Sequence, residues 1–168
     1  MLFRSINLLV PAVTPQGSAQ LQTGNNGLSS SMVTVQVQAV APAFFTIDGT
    51  NIAATHANGS LLGPAGTTPA MTPAKPGETI TLYGTGFGET SPPIPNGMLV
   101  TTAAAVVTRP TITIGGDPAT VTFAGLVAAG LYQINVTVPA TTPDGNAALV
   151  ALLGTATSQS GAVIAVQH

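Results

Sequence analysis

The chain has 168 residues, of which 45% are hydrophobic and only 5% charged, and 3 Lys+Arg against 5 Asp+Glu give a formal net charge of −2. So little positive charge excludes a basic face for a nucleic-acid backbone and a polybasic patch for an anionic membrane surface. With 0 cysteines there is no disulfide framework, Cys-based zinc site, iron–sulfur cluster or thiol nucleophile. Mean hydropathy is high at +0.46, yet no stretch approaches the ~20 apolar residues that cross a bilayer. The apolar runs Ile6–Val10, Val100–Val107 and Ala147–Leu153 are short and end at Pro, Thr, Arg or Gly. Near the start, Asn7 and Pro11 interrupt the run after Arg4, and no small-residue cleavage site follows, so the segment does not read as a signal peptide.

Along the chain the dominant period is two. Met32-Val33-Thr34-Val35-Gln36-Val37-Gln38 sets Val on one side against Thr and Gln on the other. Thr79-Ile80-Thr81-Leu82-Tyr83, Thr111-Ile112-Thr113-Ile114, Thr120-Val121-Thr122-Phe123 and Gln133-Ile134-Asn135-Val136-Thr137-Val138 do the same. Such alternation predicts strands with one buried and one wet face, which β-branched side chains suit. Phe123 and Leu131 are assigned to inward or near-core positions. Turn signals separate the runs: Gly24-Asn25-Asn26-Gly27, Asn58-Gly59, Asn96-Gly97, Gly115-Gly116-Asp117-Pro118 and Pro143-Asp144-Gly145-Asn146. Gly115-Gly116 between two alternating runs predicts a tight hairpin. Only Ala103–Val107 tolerates a helix, and Pro110 limits it. Many short strands with frequent turns predict an all-β chain, an immunoglobulin-like antiparallel β-sandwich.

An internal repeat organises these strands. Ile6-Asn7-Leu8-Leu9-Val10-Pro11-Ala12-Val13-Thr14-Pro15-Gln16-Gly17 matches Ile134-Asn135-Val136-Thr137-Val138-Pro139-Ala140-Thr141-Thr142-Pro143-Asp144-Gly145. Ala19/Ala147 and Leu21/Leu149 extend the match, and each copy runs on to a Val-Gln ending, near Val35–Gln38 and Val163–Gln167. The spacing is about that of one sandwich domain, which runs to roughly 100 residues. Residues 43–168 hold enough strands for a complete sandwich, whereas residues 1–42 hold only the closing strands of one. A lone strand pair is marginal in water. The expectation is therefore that residues 1–42 are the C-terminal strands of a truncated upstream Ig-like repeat.

The residues also carry a family resemblance. Phe123-Ala124-Gly125-Leu126, Gly130-Leu131-Tyr132-Gln133 and Ile134-Asn135-Val136-Thr137-Val138-Pro139 resemble the uncharacterised C-terminal repeat domain of secreted Acidobacteria-type (Solibacter-like) proteins. The linker Ala41-Pro42-Ala43-Phe44-Phe45 and the hairpin Ile112-Thr113-Ile114-Gly115-Gly116-Asp117-Pro118-Ala119 are similar to that family as well. Pro76-Gly77-Glu78-Thr79-Ile80-Thr81-Leu82-Tyr83-Gly84-Thr85-Gly86-Phe87-Gly88 resembles the opening strand of IPT/TIG immunoglobulin-like domains. The resemblance implies an extracellular or cell-surface Ig-like module, usually at the C-terminal end of large exported proteins, with no established catalytic activity and no agreed functional residues.

Weighed as chemistry, the candidate residues give no site. Gly84-Thr85-Gly86-Phe87-Gly88 lacks the third glycine of a dinucleotide loop: Glu89 stands there, and Thr90-Ser91-Pro92-Pro93 does not open a helix. It reads as a strand-end turn or bulge. His56, the only internal histidine, reads as a solvated loop residue without a Ser partner, and no Gly-x-Ser-x-Gly elbow exists. His168 reads as a mobile terminal residue. Asp48, Glu78, Glu89, Asp117 and Asp144 fall at turns or strand ends; Glu78 and Glu89 flank one strand, the one pair placed to meet. Asp48-Gly49-Thr50-Asn51 offers at most two side-chain ligands to calcium. Tyr83 and Tyr132 read as core or corner residues, and the Thr111, Thr113, Thr120 and Thr122 hydroxyl rows as an ordinary wet face.

Catalytic, cofactor and metal residues are accordingly set at none. The expected function is a non-catalytic structural or adhesive module of a secreted or surface protein; the alternative is an accessory module, carbohydrate-binding for instance, beside an upstream glycoside hydrolase or peptidase. Expected partners are neighbouring Ig-like repeats and a surface protein or polysaccharide, with no nucleic acid and no membrane span. The Met32–Val40 strand is a candidate edge for self-association.

Overall fold

The structure is a computed structural model and describes residues 6, 8–11, 14–66 and 71–168. Met1–Ser5 and the Asn7, Ala12 and Val13 positions of the repeat lie outside the described residues. In chain order the strands are β1 Gly17–Leu21, β2 Gly24–Asn25, β3 Leu28–Ser29, β4 Val33–Val37, β5 Ala43–Phe44, β6 Ala54–His56, β7 Leu61–Leu62 and β8 Thr79–Thr85. They continue with β9 Thr90–Ser91, β10 Ala104–Val106, β11 Thr111–Ile114, β12 Asp117–Ala128, β13 Leu131–Thr137, β14 Gly145–Leu153, β15 Ala156–Thr157 and β16 Val163–Val166. No helix occurs among the described residues, and the all-β expectation holds.

The long β12 joins two layers. Its first residues, Asp117–Ala119, pair β11, which pairs β14; β14 carries β16 and β15. The rest of β12 pairs β13, then β8 and β6 follow, with β5 on β8, β7 on β6 and β10 on β12. All these ladders are antiparallel. The inner faces meet in one core: Ile80, Leu82, Ile134 and Val136 from one layer, Ile112, Ile114, Leu149 and Ile164 from the other. Period-two burial is regular in β8, β13 and β14, as their alternating sequences demand. The β11–β12 turn is the expected hairpin. Gly115 and Gly116 have φ of 65° and 94°, and a two-residue turn with both φ positive matches the right-handed twist of the strands it joins.

Two expectations need correction. Ala104–Val106 of the helix-tolerant patch is strand β10, paired to β12 on one side and β9 on the other; a cross-strand partner overrides alanine's weak helix preference. Phe123 is not inward. Val121 pairs Val136 and Phe123 pairs Asn135, so Thr122 is an extra residue in β12. This bulge reverses the phase of the strand: Val121 packs on the core before it, Ala124 and Leu126 after it. Phe123 is left on the outer face beside Asn135.

The first strands form small sheets of their own, β1 with β4 and β2 with β3. Within the Met32–Val40 stretch only Val33–Val37 is strand, and Val35 pairs Ala19.

Candidate functional site

The glycine run is where the linker that follows β4 meets the end of β8. Gly84 is the penultimate residue of β8, and the residues after Thr85 carry the run past the incoming linker. A Cβ on Gly84 would stand 2.5 Å from the Ala43 carbonyl oxygen, one on Gly86 1.9 Å from that of Ala41, and one on Gly88 2.9 Å from Val40 Cγ1. The three glycines, standing at every second residue, therefore all face the Val40–Ala43 segment. The Ala41 N–H donates to the Gly86 carbonyl at 2.9 Å, and Gly86 and Gly88 hold φ of 75° and 85°. A turn was expected here. The linker seat was not, although glycine at alternate positions is the signal of a backbone passing close to a strand.

Beneath the seat lies an aromatic cluster. Phe44, Phe87 and Tyr132 stand with ring centroids 5.7 Å and 5.8 Å apart in tilted pairs, an arrangement favoured by the ring quadrupoles. The Tyr132 hydroxyl donates to the Gly88 carbonyl, and burial pushes the phenol above its ordinary pKa. Gln159 closes the other side: its Nε2 donates to the Phe44 carbonyl, and its Oε1 accepts the Phe44 N–H at 2.9 Å. Both faces of the linker's end are thus fixed to the sandwich.

A second constellation overturns the solvated-loop reading of His56. The residue ends β6, its side chain is 12% exposed, and its Nδ1 lies 2.6 Å from Glu78 Oε1. On the far side of the ring Nε2 stands 2.9 Å from Thr72 Oγ1 and 3.1 Å from the Thr72 carbonyl oxygen. Lys75 N–H donates to the other Glu78 oxygen at 2.9 Å. With Nδ1–H donating to the carboxylate, Nε2 accepts the threonine hydroxyl, giving a hydroxyl, imidazole and carboxylate in line. That is the order of a nucleophile, its base and the group that orients the base. The amides of Ser60, Ala74 and Lys75 donate to Asn58, Ala165 and Glu78. The arrangement ties β6, the Thr72 segment and the start of β8 together. The sequence concealed this because Thr72, not Ser, is the hydroxyl partner.

The remaining acids stay apart. Glu78 and Glu89 lie beyond opposite ends of β8, whose 7 residues span roughly 20 Å at the rise of a strand, so they do not form a carboxylate pair. Asp48 caps its own turn: Oδ1 accepts the Thr50 and Asn51 N–H groups at 3.0 and 2.7 Å, and Oδ2 accepts Asn51 Nδ2 at 2.7 Å. The Asn51 side chain first, then the two amides, lowers the Asp48 pKa. Asp117 accepts the Thr141 hydroxyl at 2.6 Å. His168 Nδ1 and N–H both stand on Asp144 Oδ1 at 2.6 and 2.8 Å; the ring contact leads in lowering the Asp144 pKa. Among the described residues no three His, Asp or Glu side chains gather as metal ligands, and no helix is long and apolar enough to cross a membrane.

The outer face of the larger layer is a polar ladder. Thr79 and Thr137 hydroxyls lie 3.1 Å apart, Thr81 Oγ1 donates to Asn135 Oδ1 at 3.2 Å, and Gln133 Nε2 donates to the same oxygen at 2.9 Å. Thr120 pairs Thr137. Tyr83 pairs Gln133, and both lie half-buried on this face with Phe123. Tyr83 is thus not a core residue, while Tyr132 is.

No curated protein and no solved structure matches the chain. The family model described as "IPT/TIG domain" matches residues 65–164, which run from ahead of β8 to within β16 and take in the glycine seat, the bulged β12 and most of the two-layer core. More than half of the chain lies under that one model, and the chain belongs to the IPT/TIG domain family.

Proposed function

We propose that the chain is a non-catalytic, extracellular structural or adhesive module of a larger secreted or surface protein, holding neighbouring Ig-like units in a fixed relation. The observation that carries this reading is the linker seat. Gly84, Gly86 and Gly88 on one side and Gln159 on the other grip residues 40–44, so the polypeptide enters the sandwich clamped rather than through a free tether. A spacer needs that property, and a tethered enzyme domain does not. The resemblance to Acidobacteria-type secreted repeats and the low charge are in keeping with it. The partners are then adjoining repeats and a surface protein or polysaccharide. An antibody against the purified chain, applied to intact cells and culture fluid of the source organism, tests the location. Surface or fluid labelling is expected; signal confined to the cytosolic fraction overturns it.

One observation favours the accessory, carbohydrate-binding alternative. The outer face sets the Phe123 and Tyr83 rings beside the Asn135 and Gln133 amides and the Thr81 hydroxyl, and rings beside amides and hydroxyls suit sugar faces and hydroxyls. Co-sedimentation with insoluble polysaccharides, lost on Phe123→Ala or Tyr83→Ala, would establish that reading.

A further inference from the structure

The two copies of the repeat agree in geometry far beyond their shared sequence. Gly17 and Gly145 have φ of 116° and 113°. Ahead of them Thr14 N–H donates to the Pro11 carbonyl at 2.9 Å, and Thr142 N–H to that of Pro139 at 3.1 Å. Behind them β1 pairs β4 as β14 pairs β16: Gly17 faces Val37 and Ala19 faces Val35, while Gly145 faces Val166 and Ala147 faces Ile164. The ladder of β2 and β3, Gly24 with Ser29 and Asn25 with Leu28, has its counterpart in Leu152 with Thr157 and Leu153 with Ala156. Even one side-chain clasp recurs. Ser30 N–H donates to the Thr23 carbonyl while Thr23 N–H donates to Ser30 Oγ; Ser158 and Ala151 make the same two bonds.

Burial does not agree. Ile134, Val136, Val138 and Leu149 are core residues at 1% exposure or less, whereas Ile6 is 71%, Leu8 42%, Val10 52% and Leu21 38% exposed. What covers the C-terminal copy is visible: β11 lies along the edge of β14, β8 and β12 flank β13, and Ile80, Ile112 and Ile114 complete the core. The N-terminal copy has none of these. Among the described residues β1 pairs only β4, and Ile6 and residues 8–10 lie outside any strand. Its outer side is the side that meets the sandwich: Leu9, counterpart of the outward Thr137, packs on the core, and the Leu8 carbonyl crosses Gly130. The inner side is left open.

We infer that residues 6–38 are the closing strands of a second IPT/TIG sandwich, and that their inner face and the free edge of β1 dock that sandwich's leading strands, carried N-terminally on the same polypeptide. Leu21–Gly24 would take a strand as Leu149–Leu152 take Thr111–Ile114, and Ile6–Val10 would enter between two strands as Ile134–Val138 lie beside β8 and β12. The occupant is not a second copy of this chain. Such a copy has its β8 and β11 already paired on both edges, and otherwise offers only another set of closing strands.

The test uses the full chain with a second copy of its own residues 43–133 fused directly ahead of Ile6, so that the junction reproduces the natural step from Gln133 to Ile134. A companion fusion carries Thr23→Ala and Asn25→Leu, matching the inner face to Ala151 and Leu153. In the unfused chain the amides of β1 and β4 should exchange at least a hundredfold faster than those of β14 and β16. In the companion fusion they should come within about tenfold, with a second cooperative unit in the melt. Protection of β1 and β4 unchanged in both fusions overturns the inference. So does an unfused chain in which these amides are already protected, either as a monomer or as a concentration-dependent dimer by light scattering.

Discussion

Gly17–Val37 and Gly145–Val166 make the same turns, the same pairings and the same serine clasp, yet one is wet and the other forms half of a core. The difference separates two things that a folded domain normally shows together. Backbone geometry in these segments is set locally, by a glycine that accepts positive φ, a turn after proline and a serine placed to close a ladder. Burial comes from strands far away in sequence. The N-terminal copy therefore holds its conformation with little of the apolar burial that would stabilise it, at about 25 cal/mol for each Å² removed from water.

The largest expected effect falls on the seat that joins the two regions. Gly86→Ala places a Cβ 1.9 Å from a backbone oxygen at a positive φ, and no flexible side chain can yield. It should destabilise the sandwich by about 3 to 5 kcal/mol, read as a lower denaturant midpoint, and free the linker to proteolysis near Ala41. Next comes the paired substitution that addresses the comparison directly. Leu149→Ala should cost about 2 to 5 kcal/mol, because the cavity in a closed core is not refilled. Leu21→Ala at the equivalent position should change stability by less than about 0.5 kcal/mol. Equal losses would mean that the N-terminal copy is packed after all.

The serine clasp gives a finer version of the same contrast. Ser158 is 8% exposed and its Oγ accepts the N–H of Ala151, itself fully buried. Ser158→Ala orphans that amide and should cost about 1 to 3 kcal/mol. Ser30 makes the same bond in the open, where water replaces it, and Ser30→Ala should leave the melting curve unchanged.

How much of this was legible in the sequence follows the same division. Alternation in Thr79–Tyr83, Thr111–Ile114 and Gln133–Val138 placed their strands within a residue or two, because each has one buried face. The Gly115-Gly116 hairpin was legible because only glycine serves there so readily. Phe123 was misplaced, since a bulge costs the sequence nothing visible: Thr-Val-Thr-Phe alternates whether or not Thr122 is skipped. His56 was misread for another reason. Its partners Thr72 and Glu78 belong to no recognised spacing, and only the ladder of β6 on β8 brings Glu78 to the ring. The linker seat was present as alternate glycines but pointed to a residue pair, Val40 and Ala41, that no local rule connects with them.

A small effect is also expected of pH, and it arises outside the N-terminal copy. No Asp, Glu, His, Lys or Arg occurs between Ile6 and Gln38, and Gln16 stands where the other copy has Asp144. The Asp144 carboxyl is held low by the His168 ring and N–H, and Asp48 by the Asn51 side chain and the Asn51 and Thr50 amides. Because each folded-state pKa lies below the unfolded value of about 3.9, their contribution is present above that pH and is lost as pH falls through the folded pKa. Tyr132 has the opposite sense. Its pKa is raised by burial, so its contribution is complete below the unfolded value of about 10 and is lost as pH rises through the folded one. Both carboxylates are exposed, so the acid limb should be shallow, and Asp48→Asn with Asp144→Asn should flatten it further. Melting temperatures between pH 7 and pH 2 measure that slope. Exchange of the β1 and β4 amides, corrected for intrinsic rate, should show no acid step over the same range, since nothing in that copy titrates; a step there would mean that its strands borrow their order from the charged sandwich beside them.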